Sequence, residues 1–405
     1  MPQVFSAGWL YLFFLAMAVG TIYILVKLRE VHREQDPDTP VIKVAPMAPA
    51  APRPEGDEKG QEVLREADSL IKEGRFLEAV DLLTPAVQRL SPVDDREALG
   101  KIQYRIGACQ RRLGWKENKV KNLLRSGEAL KEAVSHFAPH RLRSLRLAAL
   151  GELAGLYEDL ARHQNPAGNL GAAQRTWDAA ARTAKMSAQP SREALFLSRA
   201  GDLFRRLALI SSRGRNLAKA LETYEKALNV PGAFSEPDSL LEKARVLKNI
   251  GDLRVELKGI REEETDSEEA IRAYEEALMI LSPEKQTGER GQTLLCAGRV
   301  LLGTYRNQGG NSHLGKSLKY LGEAVNLLGS EKSPSGKGCA MALLGEGLIC
   351  FAELKGQKDY RDKGIRLCKA ALGFLKEPEF ADECDRIREE LRKTEKMGEV
   401  SESGN

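Results

Sequence analysis

The residues that come nearest to a reaction centre lie at 310–317, Gly-Asn-Ser-His-Leu-Gly-Lys-Ser, a literal match to the phosphate-binding pattern GxxxxGK[ST]. In that chemistry loop amides and the lysine hold phosphate oxygens and the last hydroxyl holds Mg²⁺, which requires a β-strand before the loop and a helix after it. Here residues 300–305 carry a helical apolar pattern, and no acidic Mg²⁺-binding strand follows. A nucleotide-binding enzyme acting through 310–317 stands as a remote alternative; no catalytic residue is assigned and the protein is expected not to be an enzyme. His136 and His140 have the i, i+4 spacing of a metal pair, but Pro139 between them breaks the helix that would present both, and no third ligand is apparent. His32, His163 and His313 are isolated, so no nucleophile–base set can be assembled and neither metal nor cofactor is expected. Cys109, Cys296, Cys339, Cys350, Cys368 and Cys384 form no CxxC pair and read as reduced, mostly buried small side chains of a reducing compartment. The acidic run Glu262, Glu263, Glu264, Asp266, Glu268 and Glu269 reads as a solvated loop, with docking of a basic partner as the alternative.

The elements that would position any site are helices. The 405 residues are 42% hydrophobic and 30% charged but only 6% aromatic, rich in Ala, Leu, Glu, Lys and Arg, which favours helix over sheet. The net charge of +4 gives no global field for nucleic acid, and none is expected as a partner. Self-similarity is the dominant signal. Ala86, Ala133, Ala180, Ala227, Ala277, Ala324 and Ala371 recur at a spacing of 47, once 50. Seven residues before each stands Ala79, Ser126, Ala173, Ala220, Ala270, Ser317 or Gly364, and three before each stands Leu83, Leu130, Trp177, Tyr224, Tyr274, Leu321 or Cys368. Offsets of 3, 4 and 7 mark one helix face. Nineteen residues before the small column lies a second one, Gly107, Ala154, Gly201, Gly251, Gly298 and Gly345. Each unit is thus a pair of helices, A and B, whose small residues permit close approach at a crossing. Asn122, Asn169, Asn216 and Asp266 are expected to cap the B helices, and Pro92, Pro139, Pro190, Pro231, Pro283, Pro334 and Pro378 to stop them.

Residues 4–26 carry no charge and, at about 1.5 Å per residue, would reach ~35 Å as a helix, enough for a hydrocarbon core of ~30 Å. This predicts a transmembrane anchor. The rival, a cleaved secretory signal ending at Ala16-Met17-Ala18, lacks a basic leading region and the apolar run continues beyond it. Lys27, Arg29 and Arg33 follow at once, so the positive-inside bias places the N-terminus outside and the body in the cytoplasm, as a single-pass membrane protein. Residues 27–60 form a Pro/Ala-rich linker, 61–377 seven repeats, 378–397 a capping helix and 398–405 a frayed tail.

The small columns, with 220–227 (Ala-Leu-Glu-Thr-Tyr-Glu-Lys-Ala) and 270–277 (Ala-Ile-Arg-Ala-Tyr-Glu-Glu-Ala), resemble the tetratricopeptide repeat, in a long 47-residue variant. The period also admits a HEAT- or armadillo-like solenoid; the columns favour the tetratricopeptide reading. The resemblance implies an all-α, right-handed superhelical solenoid that binds segments of other proteins as scaffold or adaptor, with an assembly chaperone for membrane complexes as the alternative. It also implies a groove lined by helix A. Counted from each small residue, that groove holds Lys101, Tyr104, Ala108, Arg111 and Arg112; Leu195, Ser198, Asp202, Arg205 and Arg206; Arg245, Lys248 and Asp252; and Arg299. As a set these suggest acidic peptides or C-terminal tails as ligands, because Arg offers bidentate, charge-assisted bonds to carboxylates. Anionic lipid headgroups are an alternative for the cluster from Lys101 to Arg125.

Overall fold

A computed structural model describes residues 56–92, 95–116, 119–137, 142–261, 265–329, 334–375 and 380–403. The expected anchor at 4–26 and the linker up to residue 55 lie outside the described residues, as do Pro139, His140, Glu262, Glu263, Glu264 and Pro378. Among the described residues no helix is long and apolar enough to cross a membrane.

The described residues are helical pairs joined by short turns: α1 (Gly56–Lys72) with α2 (Phe76–Arg89), α3 (Arg96–Gly114) with α4 (Lys119–His136), and α5 (Arg143–Ala161) with α6 (Pro166–Met186). Then follow α7 (Pro190–Ala208) with α8 (Arg213–Leu228), α9 (Pro237–Arg261) with α10 (Thr265–Ile280), α11 (Thr287–Gln308) with α12 (Asn311–Leu328), and α13 (Pro334–Lys355) with α14 (Lys358–Leu372). A last helix, α15 (Ala381–Ser403), covers the end of the stack. The terminal helix runs past Met397, where sequence alone placed a frayed tail, and α1 begins at Gly56, inside the expected linker.

In repeats two, four, five and six the crossing is a bulky residue of helix B seated on a glycine of helix A. A Cβ added to Gly107 would lie 2.6 Å from Leu130, to Gly201 2.8 Å from the Tyr224 ring, to Gly251 2.5 Å from Tyr274, and to Gly298 2.6 Å from Leu321. The two columns read from the sequence therefore meet residue by residue, which explains why these helices retain glycine at a cost of about 1 kcal/mol each against alanine. A further small column, seven residues earlier on helix A, was not read from the sequence. Gly100 packs on Phe137, Gly291 on Leu328 and Gly338 on Phe374 and Leu375. Repeat three inverts that volume, setting Leu147 against Ala184.

Each B helix packs on its own A helix and on the next A helix. Successive A helices mostly touch one another directly, whereas successive B helices do not. The A side of the stack is therefore the closed side and the B side opens between repeats. Hydrophobic clusters are built from neighbouring helices within the compact unit Glu55–Asn405, which holds its own core.

Local chemistry at the turns differs from the expected punctuation. Asn169 and Asn216 do not cap the B helices; their side-chain amides donate to the carbonyls of Gln164 and Ser211, 2.7 Å each, tying the first turn of helix B to the end of helix A. Asn165 supplies the cap of α6, accepting from the Gly168 amide at 3.2 Å. Asp266 is buried in an ion pair with Arg254 at 3.3 Å. Pro190 and Pro334 are the first residues of α7 and α13, so they open A helices, where a missing N–H costs nothing.

Candidate peptide-binding face

The A-helix residues named from the sequence lie along the closed side of the stack, and most of them cross-link neighbouring A helices. Arg111 on α3 donates to Glu152 at 2.8 Å and Asp159 at 2.9 Å, both on α5. Gly155 of α5 leaves room for that guanidinium, since an added Cβ would sit 2.8 Å from it. Arg206 on α7 reaches Glu158 of α5 at 2.7 Å. Arg205 reaches the other way, to Glu256 at 3.2 Å, Asn249 at 3.3 Å and Asp252 at 3.8 Å, all on α9. Ser198 donates to Glu242 at 2.7 Å, and Arg245 pairs with Glu289 of α11 at 3.1 Å. Lys101 and Lys248 are held on their own helices by Glu97 at 2.6 Å and Asp252 at 2.8 Å.

Asp202 sits beneath this face. It accepts from the Tyr224 hydroxyl and, at 3.4 Å, from Asn249. Burial raises its carboxyl above the usual range of aspartate, against the lowering effect of the Tyr224 hydrogen bond. Tyr274 repeats the arrangement one unit later, donating to Asp252 at 2.9 Å. Burial, and then the nearby carboxylate, push both phenols well above their ordinary value.

These pairs engage most of the arginines and lysines that the sequence placed in the groove. The positions four and five residues after the small column read Arg111-Arg112, Glu158-Asp159 and Arg205-Arg206 in repeats two to four. Charge alternates from one A helix to the next, and the stack brings opposite signs into register. That alternation was visible in the sequence, but periodicity within a helix does not say which residue of the next helix it meets. Two cations remain clear of the pairing: among the described residues neither Arg112 nor Arg299 forms an ion pair, Arg112 lying over the Phe76 ring at 5.4 Å.

Between consecutive A helices the surface dips into hollows, and seven of the expected groove residues, Ala108 among them, line them. One of about 290 Å³ contains Lys101, Tyr104 and Arg112, with Phe137, Leu145 and Glu152. A second, about 250 Å³, contains Arg245 and Lys248 with Gln292 and Thr293. A third, about 240 Å³, contains Arg299 with Leu302, Leu343 and Glu383. A larger hollow of about 670 Å³ lies on the B side, between α6 and α8 over α7, and contains none of them. It is the gap left where successive B helices diverge, so size alone does not mark it as the site.

The other candidate centres are taken up by the fold. Residues 310–317 follow helix α11, not a strand, and from Asn311 onward are themselves helical. The Ser317 hydroxyl is fully buried and donates to the Gly298 carbonyl at 2.8 Å, as Ser126 does to Gly107 at 2.6 Å, while Lys316 pairs with Glu275 at 3.1 Å. The match to a phosphate loop is thus the repeat's own small column. His136 is held below its ordinary value by burial and by Arg96. Among the described residues no group of three His, Cys, Asp or Glu side chains could hold a metal ion. All six cysteines are free, and burial pushes the thiols of Cys109 and Cys296 up to about 11 and that of Cys368 up to about 12, the opposite of activation.

No family model matches the sequence, and no curated protein matches it. Solved structures do. RapI in its apo form is 11% identical over 77% of this chain and 98% of its own, with a TM-score of 0.36. BtubC from P. vanneervenii is 18% identical over 63% of this chain and 94% of its own, at 0.43. The TPR2AB-domain:pHSP90 complex of yeast Sti1 is 15% identical over 71% of this chain and 98% of its own, at 0.26. Identities and scores this low bear no functional argument. The tetratricopeptide-like repeat rests on the matched columns and the paired helices themselves.

Proposed function

We propose that this protein is a membrane-anchored, tetratricopeptide-type scaffold that holds partner proteins by peptide segments on its A-helix face, with the repeat body in the cytoplasm. It works by binding, not by catalysis. The observation that supports this reading is the row of hollows between consecutive A helices, each containing residues that the repeat register placed in a groove. The ion pairs give that face fixed side-chain positions before a ligand arrives, which lowers the entropy cost of binding. Arg112 and Arg299, the two cations outside the ion pairs, are the residues for a carboxylate of the ligand, so an acidic segment or a C-terminus is the expected partner chemistry.

An array of acidic peptides with free or amidated C-termini, probed with residues 55–405, tests the reading. Arg112→Glu with Arg299→Glu is expected to abolish capture, whereas Arg272→Glu with Lys285→Glu, away from the A face, leaves it intact. Equal capture by both variants would remove the A face as the site. The double change Arg205→Glu and Arg206→Glu is a poorer probe, because it also breaks the pairs that hold α5, α7 and α9 together.

A further inference from the structure

The turns that join helix A to helix B form one edge of the stack, and in repeats two to four this edge has a surface of its own. The first repeat places its small residues, Ala67 and Ala79, 12 apart, whereas later repeats use 19. The extra residues lengthen the end of helix A and the start of helix B: α3 continues seven residues past Gly107 and α4 starts seven before Ser126, against five and three in the first repeat. This lengthening extends the turn beyond the crossing. What it presents there in repeats two and four is apolar. Trp115 is 62% exposed and Leu209 84% exposed, with Leu124 and Ile210 also open to solvent. Interleaved with them are exposed Lys116, Lys119, Lys121 and Arg125 in repeat two, His163 and Arg162, which pairs with Asp159 at 3.3 Å, in repeat three, and Arg213 and Arg215 in repeat four.

Acidic side chains are almost absent from the same stretches. In 115–125, 162–170 and 209–219 the sequence has a single carboxylate, Glu117. The pattern stops after repeat four. Glu268 is exposed beside the next turn, Lys316 in repeat six is paired with Glu275, and in repeat seven Asp359 accompanies exposed Leu354 and Tyr360.

From this geometry we infer that the A–B turn edge of repeats two to four is a docking surface for an anionic phospholipid bilayer. Trp and branched aliphatic side chains at protruding tips are suited to the boundary of headgroups and acyl chains, and the surrounding lysines and arginines to anionic headgroups. A polyanion that engaged the cations alone would leave Trp115, Leu209 and Ile210 in water, whereas a bilayer covers both kinds of side chain. The inference needs neither the segment 4–26 nor a ligand on the A face. It moves the lipid contact away from Lys101 and Arg111, which are paired with Glu97 and with Glu152, to the turns beyond them.

The test uses residues 55–405 with phosphatidylcholine vesicles and with vesicles rich in phosphatidylglycerol, and heparin as a soluble polyanion. The protein is expected to sediment with the phosphatidylglycerol vesicles only, and Trp115 emission to shift to the blue. Changing Trp115, Leu209 and Ile210 to Ser together should lower vesicle affinity at least about tenfold and leave heparin binding unchanged. Changing Lys119, Lys121, Arg213 and Arg215 to Glu should abolish both. All these side chains are exposed, so the melting curves of the variants control for folding. If the Ser variant binds vesicles as wild type does, or if Trp115 emission is unmoved, the surface binds soluble polyanions and the proposal fails. It fails equally if wild type sediments with neither vesicle.

Discussion

Repeats four and seven solve one problem in two ways. In both, an acidic residue follows the small residue at the helix crossing: Asp202 after Gly201, and Glu346 after Gly345. Repeat four answers its carboxylate locally, with the Tyr224 hydroxyl from its own helix B and Asn249 from the next helix A. Repeat seven has Cys368 where repeat four has Tyr224, and its two backbones are in direct contact, an added Cβ on Gly345 lying 2.7 Å from the Gly364 carbonyl. Glu346 is fully buried and is bound by Arg306 of α11 at 2.9 Å and by Arg386 of the terminal helix. A half-buried carboxylate thus joins a repeat to its next neighbour in the first case, and a fully buried one ties three elements together in the second.

The difference can be broken from its strongest side. Replacing Arg306 and Arg386 with Met strips Glu346 of both partners and should destabilise by about 3–5 kcal/mol, the cost of an uncompensated buried charge. Chemical denaturation, read together with proteolysis of α15, checks it; an unchanged midpoint would make the triad decorative. Next come the crossings. Gly345→Ala meets backbone and cannot relax, whereas Gly201→Ala meets the Tyr224 ring; within the ~1–3 kcal/mol range of overpacking the first should lie at the top and the second at the bottom. If the order reverses in thermal melts, the two crossings are not sterically distinct.

Tyr224→Phe leaves Asp202 short of a donor and should cost about 1–2 kcal/mol near neutral pH. Its pH dependence sharpens the contrast. Because burial raises the folded Asp202 value above the ordinary aspartate value of 3.8, proton binding stabilises the folded state below 3.8 and this contribution is lost as pH rises through the folded value. The penalty of Tyr224→Phe therefore shrinks in acid, since a protonated Asp202 needs no charged-state donor. A penalty constant from acid to neutral pH in urea titrations would exclude the carboxylate as its cause. The smallest effect is expected at Lys226→Ala, which removes an exposed pair with Glu222 at 2.7 Å and should leave the melting temperature unmoved.

The helical pairs and their crossings were legible because a stack repeats its constraints, and each column records the same steric demand. Spacing placed small residues of both helices at the crossing, and the structure adds that Gly107 meets Leu130 and Gly251 meets Tyr274. Partners between repeats were not legible. Arg111 lies on helix A as the register requires, but its bonds to Glu152 and Asp159 depend on how α5 slides along α3, which no single-helix period encodes. The same limit hid the Asn169 bond to Gln164, where a residue type suited to capping serves a different backbone group. The hydroxyls of Tyr224 and Tyr274 were missed although the signal was present, an Asp after the crossing glycine in the two repeats that use Tyr.

Glu346 also gives the stack a mechanical direction. A tandem array under tension comes apart one unit at a time from its weaker end, because each unit is braced only by its neighbours. At the far end Arg306 and Arg386 act as rivets through α11, α13 and α15, while at the near end α1 and α2 form the shortest pair, Asp68 held to Arg105 on α3 at 2.6 Å. A pull along the chain from residue 56 would peel the first repeat away and reach the riveted end last.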